Sequence, residues 1–238
     1  MNKYLENLLE QFSNDKMRIE EILRPLKKDN RVMSFILTNP ILAVCNIYLF
    51  QDYQKAKNHF YEAALANSYY HEILKYELFT TLHTSANFLL SDNKELIEKF
   101  CTFSDLQAAQ KGGSIFYQMG KAIQHSILND DVSLLADIEM IKKRSKSALG
   151  KNFVDTIFFF EGLMEKKEEK IFAGVNAVQK KLHRYQTILK DYFAFEATGL
   201  AKLAWMKGFE IDFKNKYIPQ QLLPIAPLDH YESFDFYK

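Results

Sequence analysis

Glycine and proline are scarce in this sequence, with eight and five among 238 residues. A loop-rich β protein needs more of both at its turns, so their scarcity favours long helices. Cysteine is scarcer still. Cys45 and Cys101 stand apart in apolar stretches, which argues against a disulfide framework or a thiolate metal set. They read as small buried hydrophobes in a reducing compartment. Neither sign of charge predominates: 31 Lys and Arg face 30 Asp and Glu, for a net charge of +1. That balance leaves no global footprint for nucleic acid or an anionic membrane. The phosphate-cradling glycine motifs and the G-x-S-x-G nucleophile turn are also missing. The first residues, Met1-Asn2-Lys3-Tyr4-Leu5-Glu6, have no apolar core of the signal-peptide type, so a cytoplasmic protein is expected. The longest charge-free run, Val32 to Gln51, is interrupted by Asn39-Pro40. It reads as two short buried helices, with Asn39 as N-cap and Pro40 as first helical residue, rather than as a membrane span.

What the chain has in abundance is apolar residues at helical spacing. Tyr4, Leu5, Leu8, Leu9 and Phe12 mark a first helix over residues 3–12, which Ser13-Asn14-Asp15 would stop. From Pro40 a rhythm of helix, tight polar turn and helix begins. Ile41, Leu42, Val44, Cys45, Tyr48 and Leu49 lead into Gln51-Asp52, and Tyr53, Ala56, Phe60, Ala63 and Ala64 line the returning helix. Small residues with one aromatic at these places resemble the second helix of a tetratricopeptide repeat. The plan recurs at Ser91-Asp92-Asn93, at Asn129-Asp130-Asp131 and at Glu165-Lys166-Lys167. Aligned on Phe50, Leu90, Leu128 and Met164, the offsets are 40, 38 and 36 residues. Asp92 with Glu95 has the spacing of a capping box. Gly112-Gly113-Ser114 reads as a turn with Ser114 capping the next helix, and a last long helix from about Leu189 to Lys207 ends at Gly208. The expected fold is all-α, a single domain over 1–238 of stacked helical hairpins, tetratricopeptide-like, as an irregular solenoid or bundle.

Little in the chain carries chemistry. His71-Glu72-Ile73-Leu74-Lys75 begins like a helical zinc motif, but lysine stands where the second histidine is required. The other histidines have no i, i+4 pair, and no metal or cofactor is expected. Glu161 and Glu196 each lie in an apolar helical stretch, where a carboxylate needs a partner. They are expected to satisfy a buried backbone end or a basic group, one of them ordering the C-terminal segment, rather than to form an acid–base pair. The run Lys142, Lys143, Arg144, Lys146 and Lys151 reads as a solvated connector at a helix C-terminus. No catalytic set is assigned and no enzyme is expected.

The most distinctive stretch comes last. Pro219, Pro224 and Pro227 exclude a helix from the final twenty residues. Yet Ile218, Leu222, Leu223, Ile225, Leu228, Tyr231, Phe234 and Phe236 are too apolar for a free tail. Residues 216–238 should therefore lie extended on the helical body as a proline-stiffened strap. The pattern Tyr217-Ile218-Pro219-x-x-Leu222-Leu223-Pro224-x-x-Pro227-Leu228-x-x-Tyr231 resembles the C-terminal signature of the immunity protein 49 family, and Gly199 to Gly208 is similar to that family's penultimate helix. The resemblance implies a bacterial, non-catalytic immunity protein whose partner is a cognate polymorphic toxin domain, neutralised in the cytosol. It marks Pro219, Leu222, Leu223, Pro224, Pro227, Leu228 and Tyr231 as signature residues of structural kind and leaves the partner-binding residues unassigned. The alternative from the residues themselves is a tetratricopeptide-like scaffold or peptide-binding regulator. The exposed ends of a helical stack would also suit a homodimer.

Overall fold

A computed structural model describes residues 3–22, 28–72, 82–104, 114–147, 150–182 and 191–233. The described residues are all-α, with no strand among them. Helix α1 spans Lys3–Ile22 and α2 spans Lys28–Cys45, running directly into a π-helical turn at Asn46–Phe50. Then follow α3 (Tyr53–Glu72), α4 (Leu82–Ser91), α5 (Lys94–Cys101), α6 (Ile115–Leu128) and α7 (Asp131–Arg144). The series ends with α8 (Thr156–Glu165), α9 (Glu168–Leu182) and α10 (Phe195–Met206). Residues 209–233 are irregular, apart from a 3-10 turn at Gln220–Leu222.

Four tight turns join α2 to α3, α4 to α5, α6 to α7 and α8 to α9, and each contains one non-glycine residue in the left-handed region. These are Gln51, Asp92, Asn129 and Lys166, with φ between 53° and 57°. The last two close Schellman motifs. At Asn129 the bonds are Asp130 N–H to His125 O (3.0 Å) and Asn129 N–H to Ser126 O (3.3 Å). At Lys166 they are Lys167 N–H to Gly162 O (2.9 Å) and Lys166 N–H to Leu163 O (3.3 Å). Each pair satisfies carbonyls that the helix end leaves open. The next helices are capped by side chains: Asn93 accepts from Leu96 N–H (2.9 Å) and Asp130 from Ser133 N–H (3.0 Å). Ser114 caps α6 as expected, accepting from Tyr117 N–H at 3.2 Å, while Gly112 and Gly113 lie outside the described residues. Gly208, at φ 85°, ends α10 in the expected position. There Gly208 N–H bonds Trp205 O (2.9 Å) and Phe209 N–H bonds Ala204 O (3.0 Å).

Three local expectations are corrected. Helix α1 does not stop at Ser13-Asn14-Asp15, because the Asp15 carboxylate is buried and held by Gln11 Nε2 at 2.5 Å, one turn away, instead of capping a new helix. Burial lifts its carboxyl above the usual range. Pro40 lies inside α2 rather than at a helix start. Asn39 is buried and its Oδ1 meets His59 Nδ1 on α3 at 2.9 Å, so it has no cap to make. An internal proline costs about 3 kcal/mol, and the α2–α3 packing must offset it. The last helix begins at Phe195, not near Leu189, and residues 183–190 are outside the described set.

Helix α10 is buried around its whole circumference, from Phe195 through Ala204 except for Glu196. It packs on α4 and α9. A helix with no polar face belongs at the centre of a bundle. Gly199 makes the α4 contact possible, since a Cβ there would stand 2.7 Å from the Ala86 Cβ. The main apolar core takes residues from α3 to α10 and, from the final segment, Ile211, Phe213, Ile218 and Leu223. A second cluster joins α2, α3, α4 and Phe193 to Leu222. Adjacent leucines of one segment thus enter two different cores.

Candidate functional site

The polar centre of the molecule forms where α3, α4, α10 and the final segment meet. Asp92 sits in the left-handed position of the α4–α5 turn, and that backbone aims its carboxylate inward. Lys57 of α3 and Lys202 of α10 converge on it. Lys57 Nζ is 2.6 Å from Asp92 Oδ2, and Lys202 Nζ pairs with Oδ1. The side chains are 6%, 1% and 0% exposed respectively, so this is a charge cluster withdrawn from water. Two ammonium groups and one carboxylate leave one positive charge over. Carbonyls of the final segment absorb it. Lys202 Nζ donates to Leu222 O (3.0 Å) and Pro224 O (2.7 Å), and Lys57 Nζ donates to Ala226 O (2.7 Å). Ala226 N–H returns a bond to Asp92 Oδ2 at 3.3 Å. All three Lys202 protons therefore have acceptors, which is what a buried ammonium needs. Burial pushes Lys202 down to about 8, against the pull of Asp92 and with help from Lys57.

The rest of the segment is held in the same way, largely through its backbone. The Tyr231 hydroxyl donates to Ser91 O (2.9 Å) and accepts from Leu228 N–H (3.1 Å), and the Tyr231 ring lies 4.6 Å from that of Tyr61. The Asn58 amide clamps one residue, accepting from Glu232 N–H (2.9 Å) and donating to Glu232 O (3.4 Å). Nearer Gly208, Trp205 Nε1 donates to Ile211 O (3.1 Å), and Tyr217 O accepts from Ala194 N–H (2.9 Å). Beside residues 226–233 runs a groove of about 980 Å³, walled by α1, α2 and the first half of α3.

The signature residues separate into two groups. Leu222 and Leu223 are buried, and Pro219 precedes the 3-10 turn that orients them. Pro224 and Pro227 have exposed side chains, Leu228 is half-buried, and Tyr231 reaches Ser91 and Tyr61. Phe234 and Phe236 lie outside the described residues. The carboxylate that meets the described part of this segment is Asp92, not Glu161 or Glu196 as expected. Glu161 pairs with Lys142 of α7 (3.0 Å) and Lys170 of α9 (3.6 Å), and Glu196 with His83 (3.6 Å). The capping box is corrected with it: Asn93 is the cap, which frees Asp92 to turn inward. Of the basic run, Lys142, Lys143 and Arg144 belong to the last turn of α7. Lys142 is tied to Glu139 and Glu161, while Lys143, Lys146 and Lys151 are exposed.

Sequence reading missed Lys57, Asn58 and Lys202. The signal for Lys202 was present: it is the one charge between Leu200-Ala201 and Leu203-Ala204, the same cue that drew attention to Glu161 and Glu196. Three of the six histidines have polar side-chain partners among the described residues, His59 with Asn39, His83 with Glu196 and His125 Nδ1 with Asp137 Oδ2 at 2.6 Å. Among the described residues no group of three or more His, Cys, Asp or Glu could hold a metal ion. Cys45 and Cys101 are free, and burial raises their thiols to about 12 and about 11, leaving them unreactive at neutral pH. No helix among the described residues is long and apolar enough to cross a membrane. Comparisons of the chain with protein-family models, with curated proteins and with solved structures return no match.

Proposed function

We propose that this chain is a non-catalytic immunity protein that binds a cognate bacterial toxin domain in the cytosol and neutralises it by occlusion. The observation that carries the reading is how the signature residues are used. Leu222 and Leu223 are spent on the core, the Pro224 carbonyl on Lys202, and the Tyr231 hydroxyl on Ser91. A pattern used for internal closure can persist while the outer surface varies with the toxin. In the finer fold, the hairpins form an irregular tetratricopeptide-like stack closed by the 216–238 strap, and the left-handed residues at 51, 92, 129 and 166 support a repeating unit. A stable complex of ordinary size would bury roughly 1,600 Å² in total. Where a toxin domain is encoded beside this gene, the test is co-expression of the two. Restored growth and a stoichiometric complex are expected. Neither rescue nor binding would reject the proposal.

A second reading, a peptide-binding scaffold, is favoured by one observation. The Asn58 clamp on Glu232 and the groove next to it form a place where an extended chain is held by its backbone.

A further inference from the structure

The final segment is held in two physically different ways. Up to Leu223 it is anchored by side chains: Ile211, Phe213, Ile218, Leu222 and Leu223 are all buried. From Pro224 onward the side chains turn outward. Pro224, Ile225, Ala226, Pro227, Asp229 and His230 are exposed, and Ile225 is 61% accessible. What holds residues 224–232 is the bonding of their backbone to Lys202, Lys57, Asp92 and Asn58, with Tyr231 as the one aromatic anchor.

Backbone carbonyls are common to every peptide. The contacts made by 224–232 are therefore available to any extended chain that brings a carbonyl to Lys57, an aromatic five residues later for Tyr61, and a peptide unit after it for Asn58. The body keeps its own core anchors at Leu222 and Leu223 while such an exchange occurs. The neighbouring groove also offers a second wall. Asn39, 1% exposed, lines it, and its amide Nδ2 has no hydrogen-bond partner.

We propose that the α3 face bearing Lys57, Asn58 and Tyr61 is a reading site for an extended peptide of a partner protein, and that residues 224–233 occupy it in cis as a displaceable stand-in. The partner segment is proline-tolerant, since only the N–H groups of Ala226, Leu228 and Glu232 are used among these contacts, and it carries a tyrosine or phenylalanine at the place of Tyr231. The inference rests on the binding-protein reading only in requiring a protein partner. It names the surface, which neither the composition nor the signature does.

The probe is a fluorescent peptide with the sequence of residues 222–233, added to the full-length protein. The cis segment competes at an effective concentration in the millimolar range, so wild type should bind the probe weakly. Two variants loosen the cis segment without touching the core anchors: Tyr231→Ala, and Glu232→Pro, which removes the N–H that Asn58 accepts. Each should bind the probe at least about tenfold more tightly than wild type. Adding Asn58→Ala to either should abolish the gain, as should replacing the tyrosine of the probe by alanine. Hydrogen exchange on wild type should show the amides of 225–233 less protected than those of 218–223. No binding by folded variants, equal binding by wild type and variants, or indifference to Asn58 overturns the proposal. Loss of folding in both loosened variants also overturns it, because the segment is then not separable. The assay needs no toxin, so its failure is distinct from a failure of the neutralisation test.

Discussion

At the scale of single residues, the Lys57–Asp92–Lys202 cluster is a charge network withdrawn from water. Removing the shared carboxylate leaves two buried ammonium groups facing each other across an unpaired site. Asp92→Asn should cost roughly 3–5 kcal/mol, the range for breaking a buried pair from one side. Lys202→Met removes a charge and its desolvation cost together while keeping the apolar stem. It should therefore cost clearly less than Asp92→Asn, although two carbonyls lose their donor. Urea unfolding of the two variants measures the difference, and equal losses would contradict the account of the cluster. His59 gives a second residue-scale expectation, in pH. Burial and the nearby Lys55 push His59 down to about 4, with Asp52 pulling the other way. The unfolded chain takes up this proton below about pH 6.5 and the folded chain holds out to about 4, so stability falls as pH drops through that window. The contribution of this one group by pH 5 is about 2 kcal/mol. Between pH 7 and 5, wild type should lose that much more stability than His59→Gln. Parallel losses would show that His59 is not buried neutral.

At the scale of elements, the helices and their caps follow local rules. Ser114 and Gly208 could be placed from sequence because a cap needs only its own few residues. The stops proposed at Asp15 and Asn39 failed because both side chains are engaged elsewhere: Asp15 is buried and bonded to Gln11 one turn back on α1, and Asn39 meets His59 of α3. The hairpin turns were visible as polar clusters, but two of their left-handed residues were not, since Gln51 and Lys166 are unusual choices for that backbone. Lys166 is exposed and its left-handed φ carries a steric cost, so Lys166→Gly should stabilise the protein by about 0.5–1 kcal/mol. A destabilised variant in thermal melts would mean that the lysine side chain supports the turn. The α4–α10 contact has its own test. Gly199→Ala should destabilise by about 1–3 kcal/mol through overpacking on Ala86, and Ala86→Gly in the same chain should recover part of that loss.

At the scale of the whole molecule, the helical content and the apolar character of the final segment were legible in sequence. What holds the segment was not. Lys57, Asp92, Lys202 and Ala226 are drawn together from four elements, and no spacing rule connects them. The central helix was equally hidden: α10 reads as one more apolar stripe, and only its packing on α4 and α9 shows it buried on every side. Both findings bear on function. Under the proposed neutralising role, residues Ile211 to Leu223 are consumed in closing the fold, and a toxin would meet other surfaces, or the outer half of the segment and the α3 face beneath it.

The most direct measurement is the unfolding of a chain ending at Lys216. Its loss should open two apolar cores at Leu222 and Leu223 and strand the charges of Lys57, Asp92 and Lys202. The expected result is aggregation or a broad, non-cooperative melt. A soluble truncated chain that melts as sharply as the full protein, and has lost only partner binding, would contradict the account and make the segment an interface.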